Sequence, residues 1–141
     1  MSNSVTVTQS QRDELVAHLT FSHDTQRSDL LNAELTTPEL IMALLHECHK
    51  NAGGLLITAV RSDHDPDTCL GPHGHSCGYS VDLWPTDETR LQAFVQGLCT
   101  ANPWVTRTGL GGAAQGCLVH PGDTIVFDDN STDHIHLQTG G

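Results

Sequence analysis

A short apolar run at residues 55–60 constrains the fold more than any other part of the sequence. The run is rich in Leu, Ile and Val, ends at Arg61, and predicts a β-strand. It follows a segment that begins with the helix-start signal at residues 36–39, a hydroxyl cap followed by Pro38 and an acid. The helix is expected to end near Lys50. A helix followed directly by such a strand favours a fold that combines helices with a sheet.

Periodicity and turn residues predict the other elements. A first short helix is expected at residues 9–19, followed at 20–35 by a loop with one helical turn. Residues 62–74 form a loop rich in Asp, Pro, Gly and His, and another helix is expected between residues 86 and 98. Further strands are predicted at residues 78–84, 104–108, 118–119, 124–127 and 134–138, with a glycine-rich turn at 109–116.

The order of these elements predicts one α+β domain over residues 1–141. Helices come first, at 1–54, and the core at 55–141 has strands around one helix. The expected sheet is small and mainly antiparallel, with the helices packed beside it.

The charge excludes several classes of partner. The chain has 6 Lys and Arg against 17 Asp and Glu, a net charge of −11, which repels nucleic acid and anionic lipid. No apolar run is long enough to span a membrane. The first residues show neither a basic start nor an apolar stretch, so we expect no signal peptide and synthesis in the cytoplasm. The sequence carries no signal for an oligomeric state.

Five cysteines, an odd number, exclude a complete disulfide framework within one chain. No pair has the Cys-x-x-Cys spacing of a zinc or redox motif, so free buried thiols are expected. A bridge between Cys69 and Cys77, which would clip the loop that carries His73 and His75, stays open as an alternative.

The chemistry of the chain is concentrated in two segments. The first contains His75 and Asp82 in the pattern His-x-x-Gly-x-x-x-Asp, with Gly78 allowing a sharp turn between them. Imidazole and carboxylate groups are zinc ligands, and a catalytic zinc site uses three protein ligands and leaves one position for water. The third ligand must therefore come from elsewhere in the chain.

The second segment is Asp133-His134-Ile135-His136. In a strand His134 and His136 point to the same face, so one can bind the metal while the other lies near the water. Asp133 is a candidate general base. The two segments together predict one zinc site.

These residues resemble a family. The pattern of His75, Asp82, Asp133 and His136 is similar to that of zinc peptidases that cleave D-alanyl-D-alanine and related peptidoglycan bonds. They are one branch of the superfamily named for lysostaphin-type enzymes, D-Ala-D-Ala metallopeptidases and hedgehog domains. The family also has an Arg at the end of the strand before the metal loop, the place of Arg61. Small phage endolysins that cut between L-alanine and D-glutamate are closest in size and in the Asp-x-x-His motif.

The resemblance implies a hedgehog/D-Ala-D-Ala peptidase-like fold and one Zn²⁺ held by His75, Asp82 and His136. It implies a metal-activated water with Asp133 as general base and Arg61 as electrostatic stabiliser. His134, on the same face as His136, is expected to help stabilise the oxyanion. The implied substrate is a peptidoglycan stem peptide, and the protein would be virion-associated or released to the cell wall. Two positions depart from the family pattern, because it usually has Ser where His73 stands and a small apolar residue where Ser80 stands.

Other interpretations remain. A zinc-stabilised binding module or a virion component would keep the site without hydrolysis, which the negative charge favours because wall-acting enzymes usually carry basic patches. The complete set of ligands and base favours the enzyme. A zinc amidohydrolase with another small amide substrate is a third interpretation.

Two other metal sites are possible from the sequence. One is a metal pair at His46 and His49, which are expected to face solvent instead. The other is a calcium-like site in the loop at residues 63–67, which is expected to be only solvated.

Overall fold

The computed structural model describes residues 5–51, 54–63, 78–110, 115–116 and 135–139. These residues form four α-helices and a six-stranded mixed sheet, so the expected α+β class is confirmed. The helices are α1 (Gln9–His18), α2 (Asp24–Leu31), α3 (Pro38–Asn51) and α4 (Leu91–Thr100). The strands are β1 (Thr20–Phe21), β2 (Leu55–Ala59), β3 (Ser80–Pro85), β4 (Val105–Leu110), β5 (Gln115–Gly116) and β6 (Ile135–Thr139). No helix in these ranges has the length and hydropathy needed to cross a bilayer.

The sheet has the strand order β1-β2-β3-β6-β4-β5. Only the pair of β1 and β2 is parallel, and the other pairings are antiparallel as predicted. The last strand, β6, lies between β3 and β4. Segments far apart in sequence are therefore direct neighbours in the middle of the sheet.

Alternation along the central strands gives the sheet two different faces. Val81 and Leu83 on β3, with Ile135 and Leu137 on β6, are fully buried in the core that also contains the apolar sides of α3 and α4. The residues between them on these strands point to the opposite face. Polar groups of the two central strands are thereby collected on the face away from the helices.

The hydroxyl cap predicted for α3 is confirmed, and α1 also has a side-chain cap. Thr8 and Gln11 form a reciprocal capping box at the start of α1, and the Thr37 hydroxyl accepts from the backbone of Leu40 at the start of α3. Asp87 caps a short 3₁₀ turn, Glu88–Arg90, that precedes α4.

The prediction of a loop at residues 20–35 is wrong, because this segment forms β1 and α2. The α2 helix has no regular apolar stripe and depends on tertiary contacts instead. The buried Gln26 side chain accepts from the backbone of Ser22 and His23 and donates to the Thr58 carbonyl, while Leu30 is buried in the core. Local propensity does not reveal a helix held in this way.

Two strand boundaries also differ from the prediction. The strand at residues 55–61 ends at Ala59, and Arg61–Asp63 forms a 3₁₀ turn. Gly109 lies in β4 rather than in a turn, because β4 continues to pair with β6 as far as Leu110. The strands predicted at 118–119 and 124–127 lie outside the described residues.

Cys48 is a free, buried thiol, as expected. Burial, with a smaller contribution from Glu47, raises the pKa of this thiol to about 12, so it stays protonated near neutral pH. Cys69, Cys77 and Cys117 lie outside the described residues, and with them the alternative of a Cys69–Cys77 bridge.

A buried guanidinium joins α1 to the end of α2 and to the segment between α2 and α3. Arg12 is 2% exposed, and its Nη atoms donate to the carbonyls of Leu30 and Thr36 at 2.7 and 2.9 Å. It also donates to the Thr36 hydroxyl at 2.8 Å, and this hydroxyl donates to the Asp29 carbonyl. Burial lowers the pKa of Arg12, but an arginine stays charged in proteins.

Replacing Arg12 by Met is expected to destabilise the fold by about 2–5 kcal/mol, because buried carbonyls lose their donors. Urea denaturation followed by circular dichroism measures the change. Arg90→Met is the matched control, since Arg90 is exposed on the Glu88–Arg90 turn and should change stability by less than about 0.5 kcal/mol. Equal stabilities of the two variants would contradict the structural role of Arg12.

Candidate metal centre

The pairing of β3 with β6 places Asp82 directly opposite His136. The two residues are 54 positions apart in sequence, yet the Nδ1 atom of His136 lies 3.3 Å from the Oδ1 atom of Asp82. The Asp82 side chain is 13% exposed and the His136 side chain is 16% exposed. We call them the Asp82–His136 pair. It lies on the sheet face away from the helices, reachable from solvent but partly shielded from it.

The separation within the Asp82–His136 pair fits zinc coordination. Zinc–nitrogen and zinc–oxygen bonds are about 2.0–2.2 Å long, so two ligand atoms on a tetrahedral zinc lie about 3.3–3.5 Å apart. A direct N–H···O hydrogen bond is usually shorter, about 2.7–3.2 Å. The separation of 3.3 Å is compatible with a long hydrogen bond and with two ligands of one zinc ion.

Two neighbours hold the His136 side of the pair. The Thr108 hydroxyl on β4 donates to the His136 carbonyl at 2.8 Å, which fixes the backbone. The Nε2 atom of the ring lies 3.1 Å from the amide oxygen Oε1 of Gln138. Neither residue was expected from the sequence, although the period-two spacing of His136 and Gln138 places them on one face of a strand.

Gly78 fixes the point where the chain enters β3. Its φ of +80° belongs to the left-handed region, and a Cβ atom at this position would collide with the Leu35 carbonyl. The Gly78 carbonyl accepts from the backbone of Thr37 at 3.0 Å. The glycine therefore provides the sharp turn that the sequence predicts, and only a residue without a side chain fits against the 35–37 segment.

The residues just before segment 64–77, where β2 has ended, are held by α2. The Asp63 carboxylate accepts from the backbone of Val60 at 2.8 Å and from the buried Gln26 at 3.2 Å. The backbone of Ser62 donates to the Asp29 carboxylate at 2.7 Å. Asp63 thus caps a turn. The other residues of the alternative calcium-like site, at 64–67, lie outside the described residues.

Arg61 lies in the turn that follows β2. It is two residues after Ala59, which is the cross-strand partner of Asp82. Its Nη1 atom donates to the Leu35 carbonyl at 3.2 Å and approaches the Glu34 carbonyl at 3.4 Å. The buried Nε atom has no hydrogen-bond partner among the described residues. Arg61 also forms no ion pair with any carboxylate of the described residues.

The structure thus brings together two of the six predicted site residues, Asp82 and His136, and places Arg61 at the end of the neighbouring strand. His75, Asp133 and His134 lie outside the described residues, and their roles stay predictions. Within 5–51, 54–63, 78–110, 115–116 and 135–139, no group of three or more His, Cys, Asp or Glu side chains is arranged to hold a metal. A complete site on the Asp82–His136 pair therefore needs a ligand from another segment.

His46 and His49, the alternative metal pair, border a groove between α1, α3 and Trp104. His49 is exposed, as expected, and lies 3.8 Å from the Glu14 carboxylate. His46 is half-buried rather than solvent-facing, because it forms part of the wall of this groove.

No protein-family model, curated protein or solved structure matches the chain.

Removing either member of the Asp82–His136 pair is expected to remove most of the bound zinc. Asp82→Asn and His136→Ala each take one ligand from a site that needs three, and elemental analysis after zinc loading and desalting measures the loss. His49→Ala is the matched control and should keep the wild-type zinc content. A His136→Ala protein that retains a full equivalent of zinc would contradict the assignment.

Proposed function

We propose that the protein is a zinc peptidase that hydrolyses a peptide bond in peptidoglycan stem peptides, of the D,D or L-alanyl-D-glutamate type. The observation that carries the proposal is the Asp82–His136 pair, with its spacing of 3.3 Å on the sheet face away from the helices. On this proposal the fold is of the hedgehog/D-Ala-D-Ala peptidase type. The antiparallel arrangement of β2, β3, β6 and β4 is compatible with it.

His75 is the proposed third ligand. It lies three residues before Gly78, where the chain turns into β3 on its way to Asp82. Both ends of segment 64–77 are tied to the helical part, at Ser62 and at Gly78. A ligand carried by a segment with fixed ends costs less conformational entropy to position than one on a free arm.

The chemistry divides among the residues of the two segments. When bound, zinc supplies a Lewis acid for the peptide carbonyl and acidifies the attacking water. Asp133 takes the proton of the water and delivers it to the leaving amine. Its place, three residues before His136, keeps the base close to a ligand that is anchored in the middle of the sheet.

Arg61 is the proposed contact for a substrate carboxylate or for the developing oxyanion, together with His134. One side of its guanidinium is fixed to the Leu35 carbonyl, and its Nε atom is buried with no hydrogen-bond partner among the described residues. The contact with Leu35 orients the planar guanidinium, whose donors match the two oxygens of a carboxylate. The alternative of a salt bridge to Asp63 or Asp82 is not formed, and Asp65 lies outside the described residues.

The net charge of −11 favours a second candidate, a zinc-binding module or virion component without hydrolytic activity. A strongly acidic protein is not drawn electrostatically to an anionic wall polymer. The two candidates share the metal site and differ only in turnover.

Incubation of the zinc-loaded protein with purified peptidoglycan fragments, followed by mass spectrometry, is expected to show new peptide termini at one bond. Asp133→Asn should keep zinc and lower the rate by about 10²–10⁴, because it removes the base but no ligand. If Asp133→Asn is active and His134→Ala is inactive, the general base is His134 rather than Asp133. A zinc-loaded wild type that cleaves nothing would favour the non-catalytic candidate.

Arg61→Lys is expected to fold and bind zinc but to lose most of its kcat/KM, because an ammonium cannot reproduce the planar two-pronged contact of a guanidinium. Arg90→Lys on the exposed Glu88–Arg90 turn is the control and should behave as wild type. A fall in thermal stability with wild-type turnover would show that Arg61 only anchors the 34–35 segment.

A further inference from the structure

Trp84 lies on the same sheet face as the Asp82–His136 pair and has no part in the proposed mechanism. It follows Asp82 by two residues on β3, whereas Val81 and Leu83 are buried in the core. Successive residues of a strand are about 3.3–3.4 Å apart, so the side chains of Asp82 and Trp84 leave the strand about 7 Å apart. Trp84 is therefore a neighbour of the candidate metal centre.

The indole has an apolar partner on β2. The register pairs Trp84 with Leu56, and both side chains are half-buried, whereas Leu55 and Ile57 on either side of Leu56 are fully buried. Directly opposite residues of an antiparallel pair have Cβ atoms about 4.5–5.5 Å apart, so their side chains touch. Together they form one partly exposed apolar surface, which we call the Leu56–Trp84 patch.

A carboxylate fixes the indole ring of this patch. The Nε1 atom of Trp84 donates to the Oε1 atom of Glu88 at 3.2 Å, and Glu88 is exposed on the short turn that follows β3. Part of the ring also packs against the core. Because this hydrogen bond uses the one donor of the indole, the ring offers a ligand only its apolar and π surface.

The negative charge beside the patch is free to act on a ligand. Glu88 forms no ion pair within the described residues, including with Arg90 on the same turn. The neighbouring Asp87 carboxylate is instead engaged by the backbone and the hydroxyl of Thr89, at 3.1 and 2.6 Å. An aromatic ring with a carboxylate at its edge attracts a cation, through the ring quadrupole and through the charge. The net charge of −11 acts in the same direction.

We propose that the Leu56–Trp84 patch and Glu88 form a subsite for the lysine side chain of a stem peptide. The inference rests on the proposed function and deepens it, because it names the substrate residue that the protein selects. A lysine side chain lays its methylene groups on apolar surface and ends in an ammonium group, which here meets the indole and the carboxylate. Diaminopimelate, the other common residue at this place, carries a carboxylate beside its amine, which Glu88 repels.

The position of the subsite suits both types of cleavage. In a stem peptide with the order L-alanine, D-glutamate, lysine, D-alanine, D-alanine, lysine is the second residue from the L-alanyl-D-glutamate bond and also from the D,D bond. Two residues of an extended chain span roughly 7 Å, similar to the separation of Asp82 and Trp84 on β3. A peptide with its scissile bond at the metal centre therefore places lysine at the patch.

The test uses three synthetic pentapeptides of this order that carry lysine, norleucine or diaminopimelate at the third position. Norleucine keeps the four side-chain carbons of lysine without the ammonium. Binding to the metal-free full-length protein is followed by the indole ¹H–¹⁵N signal of Trp84, which is identified by its loss in Trp84→Leu. Glu88→Gln removes the charge but keeps an acceptor for the indole. Glu14→Gln, an exposed position on α1, is the control with the same change of charge.

Wild type should bind the lysine peptide about 3–10-fold more tightly than the norleucine peptide, the usual effect of a cation–π contact and one exposed charge. The diaminopimelate peptide should bind more weakly than the lysine peptide. Glu88→Gln should lower the ratio of lysine to norleucine affinity by about 2–5-fold, because the ammonium loses its opposite charge. Glu14→Gln should keep the wild-type ratio.

Equal affinities of the wild type for the lysine and norleucine peptides, or a Glu88→Gln protein with the full preference, overturn the subsite. Tighter binding of the diaminopimelate peptide overturns the choice of lysine. The same peptides are then incubated with zinc-loaded protein. Cleavage of the lysine and norleucine peptides with equal kcat/KM overturns only the subsite. A wild type that prefers lysine in binding but cleaves no peptide supports the subsite and overturns the proposed hydrolysis.

Discussion

The buried Arg12 guanidinium fixes the stretch of residues 30–36, against which both flanks of segment 64–77 are held. It fixes the carbonyls of Leu30 and Thr36, and the Leu35 carbonyl between them meets both the Arg61 guanidinium and the backbone of Gly78. The two ends of segment 64–77 therefore rest on one short stretch of the helical part. A charge buried without its acceptors would be very costly, so this stretch has little freedom to move. The helical residues thus hold Ser62 and Gly78, on either side of segment 64–77, in addition to covering the core.

The second constraint is the insertion of β6 between β3 and β4. Without it Asp82 would pair only with β2, and His136 would not lie beside Asp82. Alternation along β6 buries Ile135 and Leu137 and leaves His136 and Gln138 on the other face. A register shift of one residue would exchange these two sets, so burial of the apolar pair also specifies the position of the polar pair.

The sequence was sufficient where the structure is local. Apolar periodicity predicted α1, α3 and α4, with start signals for the last two. An apolar, β-branched run predicted β2, and alternation predicted β3. The α2 helix was missed, since its Gln26 contacts the distant Thr58 and Asp63. The pattern grouped Asp82 with His136, which lie opposite each other on β3 and β6. It did not reveal Gln138, because an amide has no characteristic spacing in a sequence. The hydrogen bond from Arg61 to the Leu35 carbonyl joins residues far apart in sequence, so it could not be predicted either.

Anomalous diffraction at the zinc absorption edge, from crystals of the zinc-loaded protein, tests the central claim most directly. The account predicts a single strong peak within about 2.0–2.2 Å of Nδ1 of His136 and of a carboxylate oxygen of Asp82. A peak only at the groove beside His46 and His49, or no ordered zinc near the Asp82–His136 pair, would contradict it.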